Sequence, residues 1–316
     1  MKRWNQYATV RSKARIVVAA YENQEGRYHY PRVKLPICLH PLVMGQGDDV
    51  MRFLLTQGCY NFMSEISGIE ENIVIHVSSK VLNYSYMPYL PAPMRQVLRS
   101  VCVDEYYHSL EGWDYRDQVH ELTQLEPLEL TEPQASAGSS TLEAMSCLAD
   151  AISDSEVREF FEINVLCLVE NTITSSLLEY SGDKKCHQAF TDLNRLHIQD
   201  ESRHAGYFRK LLMLAYDNTD LSVQEQVALH LPNFIKQSLD AAKEKRAYAR
   251  MLLRHIGFEP AATERVIADT YPETHANANF SVVNVAANKN IELLRQFPVF
   301  QHDRIKQAFH DNGLAI

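Results

Sequence analysis

Apolar residues along this chain recur at three- and four-residue steps, the period of amphipathic helices. Phe62, Ile66, Ile69, Ile73 and Val77 mark one face of a long helix that begins near Asp49 and ends before Pro88, Pro91 and Pro93. A second helix follows Pro93 and carries Val97, Val101 and Leu110. Residues 121–140 are polar, contain two prolines and the run SAGSS, and predict a long surface loop. Periodicity returns from about Thr141 and is strong from Val157 to about Tyr180. Gly182 and Asp183 break it, and it resumes from about Cys186 to Tyr216. Further helices are predicted over about 221–257, with an interruption at Pro232, and over about 260–270 and 281–296. Residues 1–48 include YHYPRVKLP and predict a non-helical segment. No alternating β-branched run follows residue 50, so the class is all-α. The reading is one domain over 1–316, with a four-helix core at about 50–216 and a helical extension at about 220–316.

Composition narrows the functions open to such a bundle. Acidic residues outnumber basic ones, 40 to 31, and the net charge of −9 excludes a nucleic-acid binder. No apolar run approaches the length of a membrane span, and Ile16 to Ala20 is too short for a secretory signal core. The cysteines (Cys38, Cys59, Cys102, Cys147, Cys167 and Cys186) show no CxxC spacing, which predicts a cytoplasmic chain with reduced thiols. GxGxxG and GxxxxGK[ST] are absent, so a nucleotide fold is not expected. Thirteen histidines remain to be explained.

Two of them end matching segments, Asp104-Glu105-Tyr106-Tyr107-His108 and Asp200-Glu201-Ser202-Arg203-His204. Both read D-E-x-x-H, and no other histidine has Glu three residues before it. Residues at i and i+3 share a helix face, so Glu and His at this spacing can reach one metal centre. Both pairs sit on otherwise apolar stripes, beside Leu98 and Val101 and before Phe208 and Leu211. Ionised groups on such a stripe are costly unless paired or bound to a cation. The other two helices each place one carboxylate on an apolar stripe. Glu70 lies with Ile66, Ile73, Val74 and Val77, and Glu170 with Ile163, Leu166, Ile173 and Leu177. Glu71 points about 100° away from Glu70 on a regular helix, and the choice between the two stays open. One Glu from each of two helices and one ExxH from each of the others is the ligand pattern of ferritin-like dinuclear carboxylate proteins. Four carboxylates balance two divalent ions, and the mixed donor set suits iron, with manganese or an iron–manganese pair as the other choices. His197 lies four residues before Glu201 and offers a seventh ligand. Asp200 is expected to orient His108 across the bundle, and Asp104 to orient His204, because a ligating imidazole usually donates its other N–H to a carboxylate.

The set Glu70, Glu105-x-x-His108, Glu170 and His197-x-x-x-Glu201-x-x-His204 resembles the non-haem di-iron amine N-oxygenases of the para-aminobenzoate N-oxygenase and chloramphenicol-pathway arylamine oxygenase type. The resemblance spans about residues 55–215, and the histidine of H-x3-E-x2-H is its most distinctive part. It implies a non-haem di-iron monooxygenase of natural-product biosynthesis with O2 as co-substrate. A primary amine, either an arylamine or an amino-acid-derived amine, free or tethered to a carrier protein, would be oxidised to a hydroxylamine, nitroso or nitro product. The seven side chains would act through the metals, and electrons would come from an external reductase. A homodimer is compatible with this reading. The alternative is another ferritin-like di-iron oxidase, such as an acyl desaturase or a ribonucleotide reductase radical-type subunit.

Overall fold

The computed structural model describes residues 2–83, 85–129, 139–178, 180–239, 242–271 and 285–316. Among them no strand forms; a single isolated bridge joins Tyr28 and Cys186. The chain opens with short helices α1 (Lys2–Tyr7), α2 (Thr9–Ser12) and α3 (Pro41–Met44). The long helix α4 (Asp48–Ile69) starts after Gly47, which has a positive φ of 93°, and carries Asp48 and Asp49 in its first turn, where the helix dipole favours them. It passes without a break through a π-helical stretch, Glu70–Ile75, into α5 (His76–Leu82). α6 (Ala92–Thr123) has Pro93 in its first turn, where the missing N–H is harmless, and stops at Gln124 in the left-handed region. Then come α7 (Ser139–Ala151), α8 (Ser155–Leu178), α9 (Gln188–Asp217), α10 (Leu221–Leu239), α11 (Ala242–His255) and α12 (Pro260–Thr270), followed by helices Val285–Leu294 and Asp303–Asp311.

Two hairpins make the bundle. The α4–α5 rod packs along α6, α8 packs along α9, and α6 also meets α9. α7, α10 and Val285–Leu294 pack on α8 as well, so this helix has neighbours all round. Its composition anticipates that position, because every residue from 160 to 170 is buried. The apolar core falls into two clusters. One gathers Ile73, Val77, Leu98, Phe161, Phe208 and Leu211; the other gathers Leu54, Cys59, Phe62, Tyr115, Val119 and Phe190.

Several sequence expectations need correction. The N-terminal segment is not wholly non-helical, since α1 to α3 fold as short helices of four to six residues. α10 continues through Pro232 instead of stopping there. α6 runs to Thr123, so the predicted loop keeps only residues 124–129 among those described, and 130–138 lie outside them. Residues 281–284 of the predicted 281–296 helix also lie outside the described set. Leu110, placed by periodicity on the inner face, is 63% exposed. Asp303–Asp311 was not anticipated, although Ile305 and Phe309 are buried one helical turn apart.

One close approach has a measurable consequence. A Cβ on Gly58 would lie 2.8 Å from Cδ1 of Tyr30, whose ring packs among Phe62, Tyr180 and Phe190. Gly58→Ala should therefore destabilise the protein by about 1–3 kcal/mol, read as a lower urea midpoint with an unchanged slope.

Candidate metal centre

All seven candidate ligands converge. Glu70 comes from the α4–α5 rod, Glu105 and His108 from α6, Glu170 from α8, and His197, Glu201 and His204 from α9. Every one is buried, and Glu105, Glu170 and Glu201 are completely so. They form two groups whose donor atoms lie within 4.8 Å of one another, Glu70, Glu105, His108 and His197, and Glu105, Glu170, Glu201 and His204.

The choice between Glu70 and Glu71 is made by the π-helical stretch that begins at Glu70. Such turns insert an extra residue into the helical register and recur at functional sites. Glu70 enters the cluster, with Oε1 3.0 Å from His197 Nε2. Glu71 turns to α6, where its Oε1 accepts a hydrogen bond from the Ser109 hydroxyl.

Glu105 spans the two groups. Its Oε2 lies 3.2 Å from His108 Nδ1 and its Oε1 2.8 Å from His204 Nδ1. Oε1 of Glu201 is similarly central, 3.4 Å from His108 Nδ1, 3.3 Å from His197 Nε2 and 3.2 Å from His204 Nδ1. Both oxygens of Glu70, Glu170 and Glu201 lack a hydrogen-bond donor, as do Glu105 Oε1, His197 Nε2 and His204 Nδ1. Buried polar atoms are normally satisfied. So many orphaned oxygen and nitrogen donors aimed at one small volume fit two divalent cations and fit no apolar or hydrogen-bonded ligand as well.

The electrostatics describe a site crowded with negative charge. Burial pushes the Glu70 carboxyl up to about 7 against the pull of His197 and His108. Burial, with Glu201 and Glu105 nearby, holds Glu170 well above its ordinary range. Burial alone would lower His108, but Glu105, Glu70 and Glu201 outweigh it and bring the imidazole up to about 9. Burial likewise opposes protonation of His204, yet Glu105 and Glu201 leave it well above its ordinary value. Protons thus offset the carboxylates where cations would otherwise do so.

Asp200 and Asp104 stand behind the histidines. His108 Nε2 lies 3.2 Å from Asp200 Oδ2, and His204 Nε2 lies 3.2 Å from Asp104 Oδ2. In the neutral, metal-binding form of each ring, Nε2 would donate to its aspartate and leave the lone pair of Nδ1 toward the cluster. His197 instead turns Nε2 inward.

A small cavity with room for about one water touches His108 and His197. Phe62, Met63, Ile66 and Leu193 line it, and Glu111 and Asn194 are its polar walls. The sequence reading missed Glu111, which is buried with Oε1 unpaired and its carboxyl raised by burial. Its spacing, three residues after His108, continues the face of Glu105 and His108 and was the available signal.

The family model described as P-aminobenzoate N-oxygenase AurF matches residues 18–288 of the chain. No curated protein matches it. None of the described helices is long and apolar enough to cross a membrane.

Proposed function

The chain belongs to the P-aminobenzoate N-oxygenase AurF family of non-haem di-iron enzymes, and on that premise we propose that its seven buried ligands hold two iron ions and oxidise a small primary amine, in the first instance an arylamine, with O2. The observation that carries this reading is the pair of four-residue donor clusters sharing Glu105. Glu70, His108 and His197 would hold one iron, and Glu170 and His204 the other. Glu105 would give one oxygen to each, and Glu201 would stand between them. Iron bound there supplies the reductive activation of O2.

The chain's own residues supply position and exclusion of water. Phe62, Met63, Ile66 and Leu193, packed beside His108 and His197, would shield that side of the metal centre from bulk water. Each oxygenation of an amine to a hydroxylamine, with the second oxygen atom leaving as water, consumes one O2, two electrons and two protons. We assign the electrons to a separate reductase. Repeated rounds lead to nitroso and nitro products. The acyl desaturase and ribonucleotide reductase alternatives yield to the family match.

The test is anaerobic loading with ferrous iron, metal analysis, and O2-dependent conversion of a panel of arylamines and carrier-tethered amino acids followed by mass spectrometry. Two irons per chain and a product with the amine nitrogen oxygenated (hydroxylamine, nitroso or nitro) are expected; a chain that holds no iron, or that consumes O2 without oxygenating any amine, contradicts the reading. His197→Ala should drop the iron content to about one per chain and cut turnover by more than ~100-fold, since even partners outside the metal's own ligands cost 10–100-fold.

A further inference from the structure

The two aspartates behind the histidines are themselves held, and the groups that hold them come from the start of the chain. Trp4, on α1, donates its indole N–H to Asp104 Oδ1 over 2.8 Å. Thr9, at the start of α2, donates its backbone N–H to Asp200 Oδ2 over 3.2 Å, and its hydroxyl bonds the same oxygen. Asp104, Asp200 and Thr9 are all essentially inaccessible to solvent. Each aspartate in turn meets one histidine, Asp104 meeting His204 and Asp200 meeting His108. Two parallel chains therefore run from the N-terminal arm into the cluster, Trp4–Asp104–His204 and Thr9–Asp200–His108. Both Trp4 and Thr9 precede the family-matched residues 18–288.

We infer that the N-terminal arm is a positioning element of the metal centre, with Trp4 tuning the iron position held by His204 and Thr9 tuning the one held by His108. The inference rests on the reading of His204 and His108 as metal ligands. A carboxylate fixed by a second donor cannot rotate away from the imidazole it faces. It keeps the proton on Nε2 and the lone pair of Nδ1 pointed at the metal. Asp104 divides the work between its oxygens, Oδ1 taking the indole and Oδ2 facing the imidazole. Asp200 receives Thr9 and His108 on Oδ2 while Arg203 pairs with Oδ1. Without the arm, both carboxylates lose a buried donor, and each imidazole loses a fixed orientation.

Trp4→Phe keeps a ring under the Arg11 guanidinium, which sits 5.1 Å from the Trp4 ring centroid, and removes only the N–H. Thr9→Val keeps the shape and removes only the hydroxyl. Cobalt(II) serves as the probe, titrated into the chelator-treated full-length chain against a competing chelator, with visible absorption recorded at each step. Each variant should weaken one of two binding steps about tenfold, the lower end of the range for groups behind ligands, and shift the absorption of that cobalt alone. The double variant should affect both steps, and Thr9→Ser should restore the wild-type titration. If the arm is only a tether, the variants lower the melting temperature of the metal-free protein while both cobalt affinities and both spectra stay as in wild type, and the inference is overturned. A wild-type chain that binds no cobalt overturns the functional reading, and this inference with it.

Discussion

Glu105→Ala should yield a folded chain that retains neither iron and turns over no amine. The two oxygens of this carboxylate face opposite ways, Oε2 toward His108 and Oε1 toward His204, and the side chain is fully buried. It is the one residue common to both donor clusters. On the proposed assignment, removing it takes a ligand from each metal position at once, and it leaves two raised imidazoles without the carboxylate that contributes most to their charge. The loss of metal affinity should therefore exceed the ~100-fold upper end for groups outside the ligand set. Glu170→Ala makes the internal comparison. That residue belongs to one cluster only, so its removal should spare about one iron per chain. Glu105→Gln, which keeps the volume, guards against a collapse caused by the cavity. Metal analysis after desalting and product formation under O2 read all three. A Glu105→Ala chain that keeps two irons would contradict the assignment of Glu105 to both metal positions.

The helices were legible because burial on one side leaves a period in the sequence, and the four central ones carry it strongly. Their chemistry was legible because Glu and His on an apolar stripe break that period in a way no packing argument explains. Glu70 against Glu71 was not legible. A π-turn has no period of its own, and the contacts that separate the two residues, Glu70 with His197 and Glu71 with Ser109, come from other helices. Leu110 was misplaced for a related reason. Periodicity predicts one continuous buried face, but on α6 the inner positions around it go to His108, Glu111 and Gly112. The arm residues Trp4 and Thr9 gave no signal at all, since their partners lie 100 and 191 positions away and a single indole or hydroxyl has no pattern.

Raising the pH from 6 to about 8.5 should widen the gap in melting temperature between the metal-loaded and metal-free forms. Glu70, buried beside His197 and His108, titrates at about 7 in the folded metal-free chain against an ordinary 4.5. A carboxyl raised on folding costs nothing while both states are protonated. Its penalty grows as pH climbs from the unfolded value and is complete above the folded one. That shift is worth on the order of 3 kcal/mol. His108 runs in the same direction. Raised from 6.5 to about 9 by Glu105, Glu70 and Glu201 acting against its burial, it contributes stability that is fully present below the unfolded value and is lost as pH rises through the folded one. Both groups therefore weaken the metal-free protein across neutral pH. The forms that bind metal are the ionised carboxylate and the neutral imidazole, so binding releases protons and tightens over the same range. Manganese, which resists oxidation by air, allows the comparison to be made by calorimetry at each pH. Parallel melting curves for the two forms would mean that Glu70 and His108 do not give up protons when metal binds. Divergent curves would show that the cost of burying the cluster is met by protons on Glu70 and the imidazoles below neutrality and by metal above it.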